Sequence, residues 1–142
     1  MRTLLTAALL ALALPASAQE FVSYPTEDAF DDASFALEST IIGRGLVIDY
    51  VSHVGEMLAR TKEDVGGTKD IFEAADIYLF CSAAVSRQVM EVDPMNIIHC
   101  PYRVFVADQG GDVTIGYGVM PEGAMQVVQD LLDSIAREAA GQ

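Results

Sequence analysis

The stretch YRVFVADQGGDVTIGYGV, residues 102–119, decides how the rest of the chain is arranged. Two runs that are rich in β-branched and aromatic residues, 102–107 and 113–119, flank the sequence Asp108-Gln109-Gly110-Gly111-Asp112. Strand-forming runs separated by a short loop with glycine are typical of a β-hairpin. Because a hairpin pairs its two strands in opposite directions, this stretch predicts an antiparallel sheet.

The remaining segments add strands and helices to this hairpin. Phe30, Ala33, Leu37 and Ile41 recur at helical spacing, which predicts an amphipathic helix with Thr26 as its N-cap. Residues 77–81 are apolar throughout, which favours a strand buried on both faces. The other predicted strands are 21–24 and 46–54, and the predicted helices are 27–42, 56–64, 83–92 and 125–139. Together they predict a single α+β domain, in which helices pack on one face of an antiparallel sheet.

The N-terminus has the pattern of a cleaved secretory signal. Arg2 precedes an apolar stretch, residues 4–14, and Ala16-Ser17-Ala18 forms an A-x-A cleavage signal. The apolar stretch is shorter than the roughly 20 residues that a membrane-spanning helix needs. We therefore expect residues 1–18 to be a signal peptide that is removed, leaving residues 19–142 as a domain in the periplasm with no membrane attachment.

The charge of the chain limits its partners. Lys and Arg number 8 against 21 Asp and Glu, which gives a formal net charge of −13. Binding to nucleic acid or to anionic lipid depends on neutralising phosphate with basic side chains. The composition therefore argues against nucleic acid and anionic membranes as partners, and it favours cationic ones.

Cys81 and Cys100 are the first candidates for chemistry. Two cysteines in an exported protein favour a disulfide. If the strands that carry them run antiparallel, the end of one lies near the start of the other, and the sulfur atoms can meet. A parallel crossover would keep them apart, and two separate, partly buried thiols are the alternative.

A soft-metal or haem site is a further alternative for the same region. Cys81, Met90, Met95, His99 and Cys100 lie close in sequence, and thiolate, thioether and imidazole ligands suit copper(I). The spacings typical of metal and haem sites, such as C-x-x-C and C-x-x-C-H, are missing from the sequence. Neighbouring residues of a strand point to opposite faces, so a nucleophile–base pair of Cys100 and His99 is not expected. No catalytic residue is assigned.

His53 is the second histidine of the sequence. It ends the strand predicted at 46–54, with Asp49 on the same face. We interpret it as a histidine at the surface or rim of the sheet.

The sequence contains the stretches IYLFCSAAVSRQVMEVDP at 77–94 and CPYRVFVADQGGDVTIGYGVMPEG at 100–123. Both stretches resemble the DUF302 family, small domains with the TT1751-like fold. In that family a strand ending in a short motif is followed by a helix, a Pro-x-Arg/Lys-Val strand and an acidic-glycine hairpin. The matching positions are Phe80, Cys81, Pro94, Pro101, Arg103, Val104, Asp108, Tyr117 and Pro121. Ser82-Ala83 replaces the Asn-Pro of the family. The resemblance implies a β-α-β(4)-α sheet, often in a homodimer, and no settled biochemical role.

Arg103 stands at the basic position of this family pattern. In so acidic a chain, a cation on a strand pairs most often with a nearby carboxylate. The alternative is that its guanidinium binds an anionic ligand in a bidentate manner, with the hydroxyl of Tyr117 on the neighbouring strand as a second contact.

These observations lead to one functional hypothesis and one alternative. The first is an exported DUF302-type domain of unknown activity, a non-catalytic module that binds a small ligand or an exported protein partner and forms a homodimer. The alternative is a thiol-redox, copper-binding or haem-binding protein that uses Cys81, His99 and Cys100. In the first case no cofactor is expected.

Overall fold

Five strands form one antiparallel sheet in the order β1-β5-β4-β3-β2. The structure, a computed structural model, describes residues 21–142, and the predicted signal peptide lies outside the described residues. The strands are β1 (Phe21–Thr26), β2 (Val47–Ser52), β3 (Ala74–Cys81), β4 (Tyr102–Gln109) and β5 (Asp112–Gly118). The prediction of a single α+β domain built on an antiparallel sheet is confirmed.

The predicted hairpin is formed by β4 and β5, and its turn is shorter than expected. Asp112 pairs with Gln109, which leaves a two-residue turn of Gly110 and Gly111 with φ angles of +68° and +90°. These left-handed angles suit glycine, and they match the twist of a hairpin. Asp108 supports the turn, because its Oδ1 accepts a hydrogen bond of 2.9 Å from the backbone N–H of Gly111.

In the described part of the chain, four α-helices connect or follow the strands. They are α1 (Phe30–Gly43), α2 (Val54–Thr61), α3 (Ala83–Val92) and α4 (Gln126–Ala139), and a 3₁₀ helix (Pro94–His99) precedes β4. The predicted start of α1 is wrong: Thr26 belongs to β1, and Ala29 is the N-cap. The hydroxyl of Thr26 instead accepts a hydrogen bond of 3.2 Å from the N–H of Asp28, in a local turn.

Helices α1 and α4 cover one face of the sheet, and the core lies between these two layers. Its fully buried side chains include Leu37 and Ile41 of α1, Leu132 and Ile135 of α4, and Val104, Val106 and Ile115 of the hairpin. The composition of residues 77–81 predicts a strand that is buried on both faces, and this prediction is wrong. Tyr78 and Phe80 are buried under the helices, whereas Ile77 and Leu79 on the other face are half-buried.

Helix α2 packs against the beginning of β3. A Cβ atom at Gly55 would lie 2.5 Å from the backbone nitrogen of Ala75, so the helix approaches the strand closely only because residue 55 is glycine. Among residues 21–142, none of the helices is both long and apolar enough to span a bilayer.

Candidate functional site

The face of the sheet that α1 and α4 leave uncovered carries the best candidate site. Strand residues alternate between faces, so Val104 and Val106 of β4 point to the helices and Arg103, Phe105 and Ala107 point away. We call the face to which Arg103, Phe105 and Ala107 point the open face. It is unusually apolar for an uncovered sheet surface, since Phe21 on β1 is 54% exposed and Tyr50 on β2 is 64% exposed.

A cavity of about 400 Å³ lies on the open face. We call it the open-face cavity, and its main lining side chains are Phe21, Val54, Phe72, Ile77, Phe105 and Ala107. The start of α2 and the segment before β3 thus form one wall, and β1 forms the other. Apolar concavities of this size are typical of small-molecule sites.

Phe105 forms part of the cavity floor because β5 has a glycine beside it. Phe105 pairs with Gly116, and a Cβ atom at position 116 would lie 2.7 Å from Cζ of the Phe105 ring. The same Cβ atom would also collide with the backbone oxygen of Val22. Gly116 therefore lets the ring and β1 approach β5 as closely as they do.

Arg103 lies on the open face, and the structure does not bring Tyr117 to it. The two side chains are on opposite faces of the sheet, because Tyr117 alternates with the open-face residues Gly116 and Gly118. The hydroxyl of Tyr117 instead donates a hydrogen bond of 2.8 Å to Asp133. The alternation of Val113, Ile115 and Tyr117 along β5 is the sequence signal that places Tyr117 on the face that the helices cover.

The expected carboxylate partner of Arg103 is not found among residues 21–142. In that part of the chain Arg44, Arg87 and Arg137 each pair with an acid, and Arg103 is in none of the ion pairs. A hollow of about 210 Å³ beside it is lined by Ile77, Arg103, Phe105, Tyr117 and Gly118. The guanidinium thus borders an apolar surface with no acidic side chain in the lining.

On the helix side, sequence reasoning missed a cluster of polar groups. The Asp133 carboxylate of α4 accepts hydrogen bonds from the hydroxyls of Tyr24 and Tyr117, and it accepts another of 2.9 Å from Nε of Arg137. The guanidinium carbon of Arg137 lies 4.7 Å from the centre of the Tyr24 ring. This cluster attaches α4 to β1 and β5, and no sequence motif indicates it because its members are far apart in the chain.

The pKa values of this cluster follow from its hydrogen bonds. Burial raises the pKa of Tyr117 well above its usual value, and the nearby Asp133 carboxylate raises it further. Burial also raises the pKa of the Asp133 carboxyl, but the hydrogen bonds from Tyr24, Tyr117 and Arg137 outweigh it and hold that pKa below its usual value. Asp133 is therefore an ionised acceptor that supports the fold.

The structure brings Cys81 and Cys100 together. Strands β3 and β4 are antiparallel neighbours, and the pairing of Phe80 with Tyr102 places Cys81 beside the segment that enters β4. The two Cα atoms are 6.4 Å apart and the sulfur atoms are at bonding distance. The hydroxyl oxygen of Ser86 lies 4.0 Å from Sγ of Cys100 and 3.0 Å from the hydroxyl of Tyr102.

His99 does not complete a metal site with these cysteines. It ends the 3₁₀ helix, half-buried, and directly precedes Cys100. Within residues 21–142 no three His, Cys, Asp or Glu side chains are grouped so that they could hold a metal ion. A copper site of Cys81, His99 and Cys100 therefore has no geometric support.

His53 lies exposed at the rim of the sheet, as the sequence predicts, and it pairs with an acid. Its Nδ1 lies 2.8 Å from Oδ1 of Asp76 on the adjacent strand, and Asp49 is not its partner. The hydrogen bond and the negative charge of Asp76 raise the pKa of His53 above its usual value. The pair lies at the rim of the sheet, where the imidazole is more than half exposed.

Comparisons with known proteins identify the family but no activity. The family model described as "Domain of unknown function DUF302" matches residues 22–142. Among solved structures, the crystal structure of an uncharacterised conserved DUF302 protein from Bacillus stearothermophilus is similar, with a TM-score of 0.60 and 18% identity. That likeness covers 87% of this chain and 90% of the other, and at this identity it shows the fold alone. No curated protein matches the sequence. The chain belongs to the DUF302 family.

Proposed function

We propose that this chain is an exported, non-catalytic module that binds a small apolar ligand in the open-face cavity. One observation carries the proposal: a cavity of about 400 Å³, walled mainly by aromatic and aliphatic side chains, lies on the sheet face that α1 and α4 leave uncovered. Transfer of an apolar ligand from water to such a surface is favourable by roughly 25 cal/mol per Å² of apolar area. Four polar residues, Ser23, Asp76, Gln109 and Thr114, also border the cavity, and the carboxylate of Asp76 is paired with His53.

A fluorescent dye that is apolar and uncharged tests the proposal. We expect N-phenyl-1-naphthylamine to bind at saturation with a rise in emission, because its rings would replace water against Phe105 and Ile77. Ala107→Trp fills the cavity with an indole on the open face and should abolish saturable binding. Ala124→Trp, at an exposed position outside the cavity, is the matched control and should bind as the wild type does. Equal binding by wild type and Ala107→Trp would refute the proposed site.

Export is part of this proposal, and the position of β1 is compatible with it. Cleavage after Ala18 leaves two residues before Phe21, where β1 begins, so the whole strand would remain in the mature chain. The mature protein purified from the periplasm should begin at Gln19. N-terminal sequencing of that material checks this, and an intact residue 1 in the cytoplasmic fraction alone would contradict it.

A second candidate function is thiol redox chemistry at Cys81 and Cys100, favoured by the bonding distance between their sulfur atoms. A redox-active pair would exchange with glutathione buffers while the protein stays folded. A structural disulfide would resist reduction until the protein unfolds. Alkylation of thiols after equilibration in such buffers, with circular dichroism as the test of folding, separates the two.

The homodimer is a prediction that follows from the family resemblance, and an exported protein partner is a prediction from the sequence analysis. Light scattering coupled to size-exclusion chromatography measures the first directly. A molar mass equal to one chain over the concentrations used for dye binding would contradict the homodimer.

A further inference from the structure

We propose further that the ligand of the open-face cavity is a small amphipathic anion whose acidic group binds Arg103. This inference rests on the proposed function, since it assigns the polar end of the ligand whose apolar part fills the cavity. The chemical class is a sulfonate, carboxylate or similar acid on an aromatic or aliphatic body.

The positions of Arg103 and the cavity allow one molecule to reach both. The hollow beside Arg103 and the open-face cavity share two lining residues, Ile77 and Phe105. Arg103 and Phe105 are two residues apart on β4, which is about 7 Å along a strand. A molecule of two fused rings that lies over Phe105 therefore places a substituent within reach of the guanidinium.

The local charge favours an anion at this point. The residues that line the hollow with Arg103 are Ile77, Phe105, Tyr117 and Gly118, and none of them has a carboxylate. Arg103 is exposed, and no ion pair within residues 21–142 includes it, although acids outnumber basic residues by 21 to 8 in the whole chain. The positive charge of Arg103 is thus left uncompensated beside an apolar surface.

The guanidinium is suited to bind an acidic group there. It is planar and offers parallel N–H groups, so it donates two hydrogen bonds to one carboxylate or sulfonate. Arg103 is exposed, so water and salt screen part of the attraction between the opposite charges, and the apolar surface beside it limits that screening on one side only. Extension of the register that pairs Phe105 with Gly116 places Gly118 of β5 opposite Arg103, and glycine has no side chain that would compete with the acid for this position.

Two dyes with the same aromatic body and different charge test the inference. They are 8-anilinonaphthalene-1-sulfonate and N-phenyl-1-naphthylamine, which lacks the sulfonate. We expect Arg103→Gln to weaken sulfonate binding about tenfold, as loss of a charge-assisted hydrogen-bonded pair implies, and to change binding of the neutral dye by less than about twofold. Arg103→Lys keeps the charge without the bidentate geometry and should fall between wild type and Arg103→Gln.

Arg60→Gln is the matched control. Arg60 is also exposed and also outside the ion pairs of residues 21–142, but it borders a different hollow, with Tyr50, His53 and Met57. Its replacement removes one positive charge from the same chain and should leave the affinity of both dyes unchanged. Added NaCl should weaken sulfonate binding by the wild type more than by Arg103→Gln.

The outcomes separate the two proposals. If Arg103→Gln binds both dyes as the wild type does, the anion inference is wrong and the cavity remains a ligand site. If the wild type binds neither dye, both proposals fail.

Discussion

Asp133 is the residue on which the attachment of α4 to the sheet most depends. Its carboxylate accepts hydrogen bonds from the hydroxyls of Tyr24 and Tyr117, and Tyr117 is only 2% exposed. In Asp133→Asn these hydroxyls lose a charged acceptor. We expect the free energy of unfolding at neutral pH to fall by about 1.5–3 kcal/mol, the range for hydrogen bonds to charged groups, as measured by urea denaturation. Asp130→Asn, exposed on the same helix, is the control and should change little.

The stability difference between the wild type and Asp133→Asn should depend on pH. The pKa of Asp133 is lower in the folded state than usual, so its contribution to stability is present above the unfolded pKa of about 4 and is lost as the pH falls through the folded pKa. The difference between wild type and Asp133→Asn should therefore be constant near neutral pH and shrink below about pH 4. Urea denaturation at several pH values measures it. A difference that stays the same in strong acid would show that charge is not its cause.

His53 should titrate at a higher pH than an isolated histidine. Its Nδ1 is hydrogen-bonded to Asp76, and this contact raises the pKa of the imidazole. A raised pKa means that the pair contributes stability fully below the unfolded pKa of about 6.5, and that this contribution is lost as the pH rises through the folded pKa. NMR titration should therefore give a midpoint above about 6.5 in the wild type and a lower one in Asp76→Asn. The same midpoint in both proteins would contradict the pairing.

At the scale of elements, the connection between β3 and β4 depends on its two cysteines. Cys81 ends β3 and Cys100 precedes β4, so a bond between them encloses α3 and the 3₁₀ helix in a covalent loop. Replacement of both residues by serine should lower the free energy of unfolding by about 3 kcal/mol, because the unfolded chain gains conformational freedom. Reductant should lower the stability of the wild type by a similar amount and leave the double variant unaffected. Two free thiols in the purified wild type would refute the bridge.

Helices and turns with local signals were predictable from the sequence. The predicted bounds of α3 agree with the structure, where Ser82 caps the helix by accepting a hydrogen bond from the N–H of Val85. The glycines between β4 and β5 indicated the hairpin, because only a few residue types adopt the left-handed angles of such a turn. Signals of this kind lie within a few residues of the element that they specify.

The sites depend on pairings that no local pattern encodes. Tyr24 and Asp133 are 109 residues apart, and His53 and Asp76 are 23 residues apart, so their contacts follow only from the strand order and register. The apolar composition of residues 77–81 predicts burial on both faces of the sheet. Ile77, whose side chain lies on the open face, instead lines the cavity. An apolar strand face that no helix covers is therefore the signal of the candidate site.

At the scale of the whole molecule, the excess of acids should make the stability depend on salt. At neutral pH a net charge of −13 favours the expanded state through self-repulsion. Within residues 21–142, four ion pairs between Lys or Arg and carboxylates oppose this self-repulsion: Arg44–Glu138, Lys62–Asp70, Arg87–Glu91 and Arg137–Asp133. Each has at least one exposed partner, and exposed pairs contribute only about 0–1 kcal/mol each. Repulsion should therefore dominate at neutral pH, and screening by salt should stabilise the fold.

The melting temperature at two pH values checks this balance. At pH 7, raising NaCl from about 10 mM to about 300 mM shortens the Debye length several-fold and should raise the Tm. Near the sequence pI of about 4.2 the net repulsion vanishes, so the same salt should leave the Tm unchanged or lower it by screening the ion pairs. A Tm that falls with salt at pH 7 would mean that the ion pairs outweigh the repulsion.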